Sequence, residues 1–85
     1  MYKAIHKYPL TSQTNYVSLP SGAKVVHFGL DPMGVLCMWA IVELSAPVIT
    51  RRYVILQTGQ QAINGTMQYL GSCMVGPYMW HLFED

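Results

Sequence analysis

The sequence predicts a small all-β domain of about seven short, mostly antiparallel strands that form a barrel or a sandwich. Turn-forming residues divide the chain into β-rich runs at intervals of roughly ten residues. No stretch of about a dozen residues places its apolar side chains at helical spacing. The connections between the runs are short, which favours antiparallel neighbours. A length of 85 residues suits one domain, which we place at residues 1–85.

Turn residues end each of the first three predicted strands, which cover residues 2–8, 15–19 and 24–30. Pro9 ends the first strand, and Pro20 opens the turn after the second. Asp31-Pro32 opens the turn after the third strand, because Asp and Pro both favour the first positions of a β-turn.

The other four strands are predicted at residues 35–44, 48–58, 67–75 and 78–84. Pro47 separates the fourth strand from the fifth, and Gly76-Pro77 separates the sixth from the seventh. Residues 60–66 are predicted to form a polar loop that contains Asn64-Gly65, a strong turn dipeptide.

The chain carries more apolar material than a small core requires. Hydrophobic residues make up 52% of it and charged residues 11%, whereas ordinary domains contain about 25% charged residues. Both faces of the fourth strand are apolar, which predicts that a second sheet or a second subunit covers each face. We therefore expect self-association. The predicted interface residues come from the fourth and seventh strands and are Leu36, Met38, Trp39, Met79 and Phe83.

The charge balance narrows the class of partner. A net charge of +1 is too small for a protein that binds duplex nucleic acid by neutralising phosphates, and it provides no polybasic membrane signal. The N-terminal residues lack the apolar region of a secretory signal, so we expect a cytoplasmic protein. Cys37 and Cys73 are expected to be buried free thiols, with one disulfide as the alternative if the chain is exported.

The sequence predicts no enzyme, no metal site and no cofactor. The carboxylates Asp31, Glu43, Glu84 and Asp85 show no pairing suited to acid–base catalysis. The three histidines are widely spaced and have no thiolate or carboxylate at ligand spacing. A Cys–His nucleophile pair is disfavoured because apolar surroundings raise the pKa of a thiol.

Basic and aromatic residues predict a binding surface for a ligand or a partner. Arg51 and Arg52 are adjacent in a strand, so they point to opposite faces, and either one is a candidate. Such a surface would suit a nucleotide, with rings that stack on the base and cations that bind the phosphate. The alternatives are a protein interface, or lysines that only solubilise a sheet edge. The predicted binding residues are Lys7, Tyr8, Arg51, Arg52, Tyr53, Trp80 and His81.

Thr58-Gly59-Gln60 follows the fifth strand and allows two interpretations. The first is an ordinary hairpin loop. The second is a small backbone nest that holds an anion. No predicted helix follows this segment, so it is not a phosphate loop of a known type.

Short segments along the chain resemble, in their order, a family of small bacteriophage-encoded proteins of unknown function. The resemblance covers nearly the whole chain and rests on the segments IHKYPL, LPSGAK, GVLCMWA, TG, YLG and WHLFE. It implies a phage or prophage source and a place of action in the cytoplasm of an infected bacterium. It provides no activity and no catalytic residues. Gln60 stands where the resemblance leads us to expect a histidine, which weakens any ligand role for that loop.

Small phage accessory proteins without a catalytic constellation usually act by binding. The first expectation is therefore a non-enzymatic counter-defence protein that blocks a bacterial immune component, such as a CRISPR effector, by direct contact. The second is a homo-oligomeric sponge that sequesters a cyclic or ADP-ribose-type nucleotide signal. The third is a structural or virion-associated module.

Overall fold

The computed structural model of the protein describes residues 2–60 and 65–85, which form seven strands. The strands are β1 (Lys3–Pro9), β2 (Thr14–Pro20), β3 (Lys24–Leu30), β4 (Leu36–Glu43), β5 (Val48–Gln57), β6 (Gln68–Val75) and β7 (Tyr78–Glu84). The all-β prediction is confirmed, and each predicted strand end lies within one residue of the observed one. Within these residues no helix is long and apolar enough to cross a membrane. Asn64, half of the predicted Asn64-Gly65 turn, lies outside the described residues.

The strands form two sheets, so of the two predicted architectures the chain adopts the sandwich. The first sheet has three strands in the order β1-β4-β3, and the second has four strands in the order β2-β5-β7-β6. All neighbouring strands are antiparallel. The chain passes between the sheets after β1, β2 and β4, while β3–β4, β5–β6 and β6–β7 stay within one sheet. Neighbours in sequence therefore lie in different sheets at half of the connections.

The main core lies between the two sheets, and the alternation of β4 and β5 builds it. Met38, Ala40 and Val42 of β4 are all buried, and they belong to one apolar cluster with Tyr53 and Leu82 of the second sheet. Met38 is 0% exposed. It was predicted as an interface residue, but its side chain is covered by its own chain and cannot be reached by a second copy.

A smaller apolar cluster covers the outer surface of the second sheet. It consists of Val54, Leu56 and Phe83, with Met67 packed against it. Phe83, another predicted interface residue, is therefore buried within its own chain. Leu36 is half-buried and packs against the main core, while Met79 remains exposed on β7.

Candidate functional site

The outer surface of the first sheet has a partly exposed aromatic and aliphatic centre. Side chains alternate along a strand, so Trp39 and Ile41 point away from the core that Met38 and Ala40 enter. Trp39 lies opposite Lys7 of β1 and His27 of β3, and the centroids of the Trp39 and His27 rings are 5.2 Å apart. This surface is termed the Trp39 face, and it comprises Lys3, Ile5, Lys7, Lys24, His27, Trp39, Ile41 and Glu43.

Basic side chains surround the apolar centre of the Trp39 face. Lys3, Lys7 and Lys24 lie on it, and they are three of the five basic residues in the sequence. A depression of about 360 Å³ at one end of the face is lined in part by Lys3, Lys24 and Glu43. The face therefore offers an apolar centre with a rim in which ammonium groups outnumber carboxylates.

The other end of the Trp39 face is closed by the turn between β3 and β4. Asp31 Oδ1 accepts hydrogen bonds from the backbone N–H groups of Met33 and Val35, both at 2.9 Å. Gly34 completes this predicted turn with φ +78, a conformation that favours glycine. Asp31 Oδ2 lies 3.0 Å from Lys7 Nζ. The pKa of Asp31 is lowered, mainly by the hydrogen bond from the Val35 backbone N–H and next by the hydrogen bond from Lys7.

This turn also covers a thiol. Cys37 is 0% exposed, and its S–H is directed at Val35 O at 3.4 Å and at Asp31 Oδ2 at 3.8 Å. The pKa of the Cys37 thiol is raised, mainly by burial and to a smaller extent by the negative charge of Asp31. Burial likewise raises the pKa of Cys73. Both cysteines are free, as predicted, but only Cys37 is buried, while Cys73 is half-buried. Neither site favours the reactive thiolate.

The lowered pKa of Asp31 predicts a specific pH dependence. In the folded state the carboxylate loses its proton more readily than in the unfolded chain. Its contribution to stability is therefore complete above the unfolded pKa of about 3.9 and is lost as pH falls through the folded pKa. We expect Asp31→Asn to flatten the acid limb of a plot of urea midpoint against pH. Lys7→Met, which retains both backbone N–H donors to Asp31, should flatten it only in part. Acid limbs of equal slope in Asp31→Asn and the native chain would contradict this assignment.

The structure does not bring the predicted binding residues together on one surface. Lys7 lies on the Trp39 face, and His81 lies on the outer surface of the second sheet opposite Ser72. Tyr8 and Trp80 pack against the main core, and Tyr53 is 0% exposed within it. The single aromatic and basic surface expected from the sequence is therefore not formed, because its residues belong to different sheets and faces.

Arg51 and Arg52 point to opposite faces of β5, as predicted, and each is paired with a carboxylate. Arg51 Nη1 donates to the backbone oxygen of Ala23 at 2.9 Å and lies 3.6 Å from Glu84 Oε1. Arg52 forms an ion pair with Asp85 at the C-terminus of the chain. Both guanidinium groups therefore already have a partner within the chain.

Tyr53 carries a buried phenol close to Arg51 and Glu84. Its Oη atom makes no hydrogen bond within the described part of the chain. Burial raises the pKa of Tyr53, and the neighbouring Arg51 opposes that change. Its side chain serves the core rather than a ligand surface.

Four side chains on the outer surface of the second sheet form a chain of hydrogen bonds. His81 Nε2 lies 2.8 Å from Thr58 Oγ1, and His81 Nδ1 lies 2.6 Å from Ser72 Oγ. Ser72 Oγ in turn lies 2.7 Å from Tyr69 Oη. A neutral imidazole has one donor and one acceptor, so both ring nitrogens are satisfied by hydroxyl groups. Sequence reasoning missed this chain, because it depends on the register that places Ser72 opposite His81.

Ser72, His81 and Thr58 are arranged like a catalytic triad, but a neutral threonine stands where a triad has a carboxylate. In serine hydrolases a carboxylate orients the histidine and stabilises the imidazolium that forms. A threonine hydroxyl can orient the His81 ring but supplies no such charge.

Thr58 stands at the turn that ends β5, where Gly59 has φ +94 and Gln60 N donates to Gln57 O at 3.1 Å. The Thr58-Gly59-Gln60 segment is thus a turn, and its predicted anion-binding role remains a prediction.

The histidines do not converge on a metal site. His6 lies on β1, His27 on the Trp39 face and His81 on β7. Among residues 2–60 and 65–85, no group of three or more His, Cys, Asp or Glu side chains could hold a metal ion.

Comparison with known proteins identifies a family without an assigned activity. No curated protein and no solved structure is significantly similar to the chain. The sequence resembled a family of unknown function on short motifs. A family match over residues 1–85 confirms that the chain belongs to a family of unknown function. The chain belongs to the family described as "Domain of unknown function (DUF7352)".

Proposed function

We propose that the protein is a non-enzymatic phage counter-defence protein that binds a bacterial defence protein, such as a CRISPR effector, and blocks it. The Trp39 face supports this proposal. It combines a half-buried tryptophan, an isoleucine that is 62% exposed (Ile5) and a charged rim. Protein interfaces have this anatomy, with apolar and aromatic anchors at the centre and polar groups around them. The order of motifs along the chain supports a phage source and action in the cytoplasm of the infected bacterium.

The charges on the Trp39 face favour a partner of a different kind over a second copy. Lys3 and Lys24 lie beside the centre with no carboxylate partner in the described part of the chain, whereas Lys7 is paired with Asp31. Two copies related by a two-fold axis would bring these ammonium groups towards one another, which costs free energy. A partner with an apolar patch bordered by Asp or Glu would gain from the same charges. We therefore assign the face to a protein with an acidic surface, and self-association becomes an outcome of the test.

The nucleotide sponge has less support. A phosphate needs cations that are not already paired, whereas Arg51 and Arg52 each pair with a carboxylate of the chain. The arginines predicted to bind the phosphate are therefore already engaged, and the apolar centre of the Trp39 face favours contact with a protein over capture of a charged signal.

A matched pair of variants tests the proposal. Ile5 on the Trp39 face is 62% exposed, and Val48 on β5 of the other sheet is 68% exposed. Bacteria that carry single defence systems are challenged with phage while they express the native chain, Ile5→Lys or Val48→Lys. We expect the native chain and Val48→Lys to restore phage plating against one system, and Ile5→Lys to lose this effect at unchanged protein level. The purified defence protein should then bind the native chain and Val48→Lys but not Ile5→Lys.

Three outcomes would overturn the proposal. In the first, Ile5→Lys and Val48→Lys restore plating equally well. In the second, no defence system in the panel is affected. In the third, purified cyclic dinucleotides or cyclic ADP-ribose bind the chain tightly while no defence protein does, which would favour the sponge.

A further inference from the structure

A pocket opens between the two sheets at the end of the sandwich where β1 leads into β2. Its volume is about 290 Å³, close to the lower limit of about 300 Å³ for small-molecule sites. Its floor and walls are apolar, and its mouth is polar. The lining residues are Leu10, Leu36, Ile55 and Trp80, with Thr11, Ser12, Gln13 and Gln60.

Hydrogen bonds fix the segment that forms the mouth of this pocket. Leu10 N donates to Leu36 O, and Ile55 N donates to Gln13 O, both at 2.8 Å. Ser12 and Asn15 exchange two hydrogen bonds, because Ser12 N donates to Asn15 Oδ1 and Asn15 Nδ2 donates to Ser12 O. Both ends of the segment are thus tied to the strands. Binding of a ligand therefore costs little conformational entropy in this segment, because the segment is already ordered.

The chemistry of the lining selects the kind of ligand. None of the eight lining residues carries a charged side chain, so a buried phosphate or carboxylate would lose its hydration without a compensating cation. Trp80 contributes a large aromatic surface, and its indole N–H makes no hydrogen bond within residues 2–60 and 65–85. The Gln13 amide, which has two donors and an acceptor, is likewise unpaired in the part of the chain that is described.

We propose that this pocket binds a neutral, planar heterocycle of nucleobase size, packed against Trp80 and hydrogen-bonded by Gln13. Aromatic side chains bind the flat faces of bases, and amide groups bind their edges. A nucleobase or nucleoside fits this description, whereas a nucleotide would gain nothing from its phosphate. The pocket opens between the sheets and shares no residue with the Trp39 face, so this inference is independent of the proposed protein contact.

Nuclear magnetic resonance of the full-length ¹⁵N-labelled chain tests the inference. The two tryptophans give two indole N–H signals, which Trp39→Phe assigns. Adenosine and uridine, added to millimolar concentration, are the probes. At least one should shift the Trp80 signal and the backbone signals of residues 11–13 to saturation, while the Trp39 signal serves as an internal control and stays in place. The corresponding 5′-monophosphate should bind no more tightly than the nucleoside.

Matched variants separate specific binding from general affinity for rings. Gln13→Leu should weaken nucleoside binding about fivefold, the worth of one neutral hydrogen bond. Gln68→Leu changes an exposed glutamine on β6 that does not line the pocket, and it should leave binding unchanged. Four outcomes would overturn the inference: no shift of the Trp80 signal, equal shifts of both indole signals, tighter binding of the monophosphate, or full retention of affinity in Gln13→Leu.

Discussion

Replacing Met38 with alanine is expected to lower the free energy of unfolding by about 3 kcal/mol and the melting temperature by roughly 12–24 °C. Met38 is 0% exposed and belongs to the cluster that joins the two sheets. Its truncation removes buried apolar surface and leaves a cavity that the surrounding strands fill only in part. The loss is large for this chain, because a domain of this size has a total stability of only about 4–13 kcal/mol.

A second methionine provides the control for Met38→Ala. Met74 on β6 is 53% exposed, and its replacement by alanine should change the stability by no more than about 0.5 kcal/mol. Urea unfolding followed by circular dichroism at two protein concentrations gives both values. The effect of Met38→Ala should be the same at both concentrations, since a residue at a subunit interface would act in a concentration-dependent way. A concentration-dependent effect, or equal effects of the two variants, would contradict the position of Met38 in the core.

The strand positions could be predicted because they depend on local signals. Proline and glycine turns mark the ends of runs that are rich in β-formers, and each observed boundary lies within one residue of the expected one. The alternation of β4 also predicted two covered faces. It could not show that the Met38 side forms the core between the sheets while the Trp39 side stays partly open, because both sides have the same apolar character.

The candidate sites could be predicted less well, because they depend on which sheet each strand joins. The chain changes sheet after β1, β2 and β4, and no local pattern records these crossings. Lys7 and His81 therefore end on outer surfaces of opposite sheets, although the sequence makes both candidates for one surface. The pairing of Ser72 with His81 likewise requires the register of β6 against β7.

Bulges add a second limit to prediction from alternation. The register of β3 against β4 shifts between Val25 and His27. Strict alternation would place Lys24 and His27 on opposite faces, whereas the bulge places both on the outer surface of the sheet. A comparable shift occurs in β6 between Tyr69 and Gly71. The contact between His27 and Trp39, which builds the centre of the Trp39 face, thus depends on one extra residue that the apolar pattern does not mark.

Replacing Trp39 with alanine is expected to weaken binding of the partner protein at least about thirtyfold, which corresponds to about 2 kcal/mol. Tryptophan is the residue type most enriched among the residues that dominate interface energies, and those residues lie near the centre of the contact. Trp39 is central in its sheet, since it pairs with Lys7 on one side and His27 on the other. Trp39→Phe retains an aromatic ring and should lose less affinity.

An aromatic residue on the other sheet separates a specific loss from a general one. Tyr16 on β2 is 71% exposed, and Tyr16→Ala should bind the partner as tightly as the native chain. Calorimetry with the purified partner gives the affinities, and a thermal melt of each variant shows whether it is folded. A folded Trp39→Ala variant with unchanged affinity would remove the Trp39 face from the contact.

Light scattering on the isolated chain decides between the two possible occupants of the face. If a second copy covers it, Trp39→Ala lowers the mass of the native assembly. If a different protein covers it, the native chain and the variant have the same mass, and only the complex with the partner is lost.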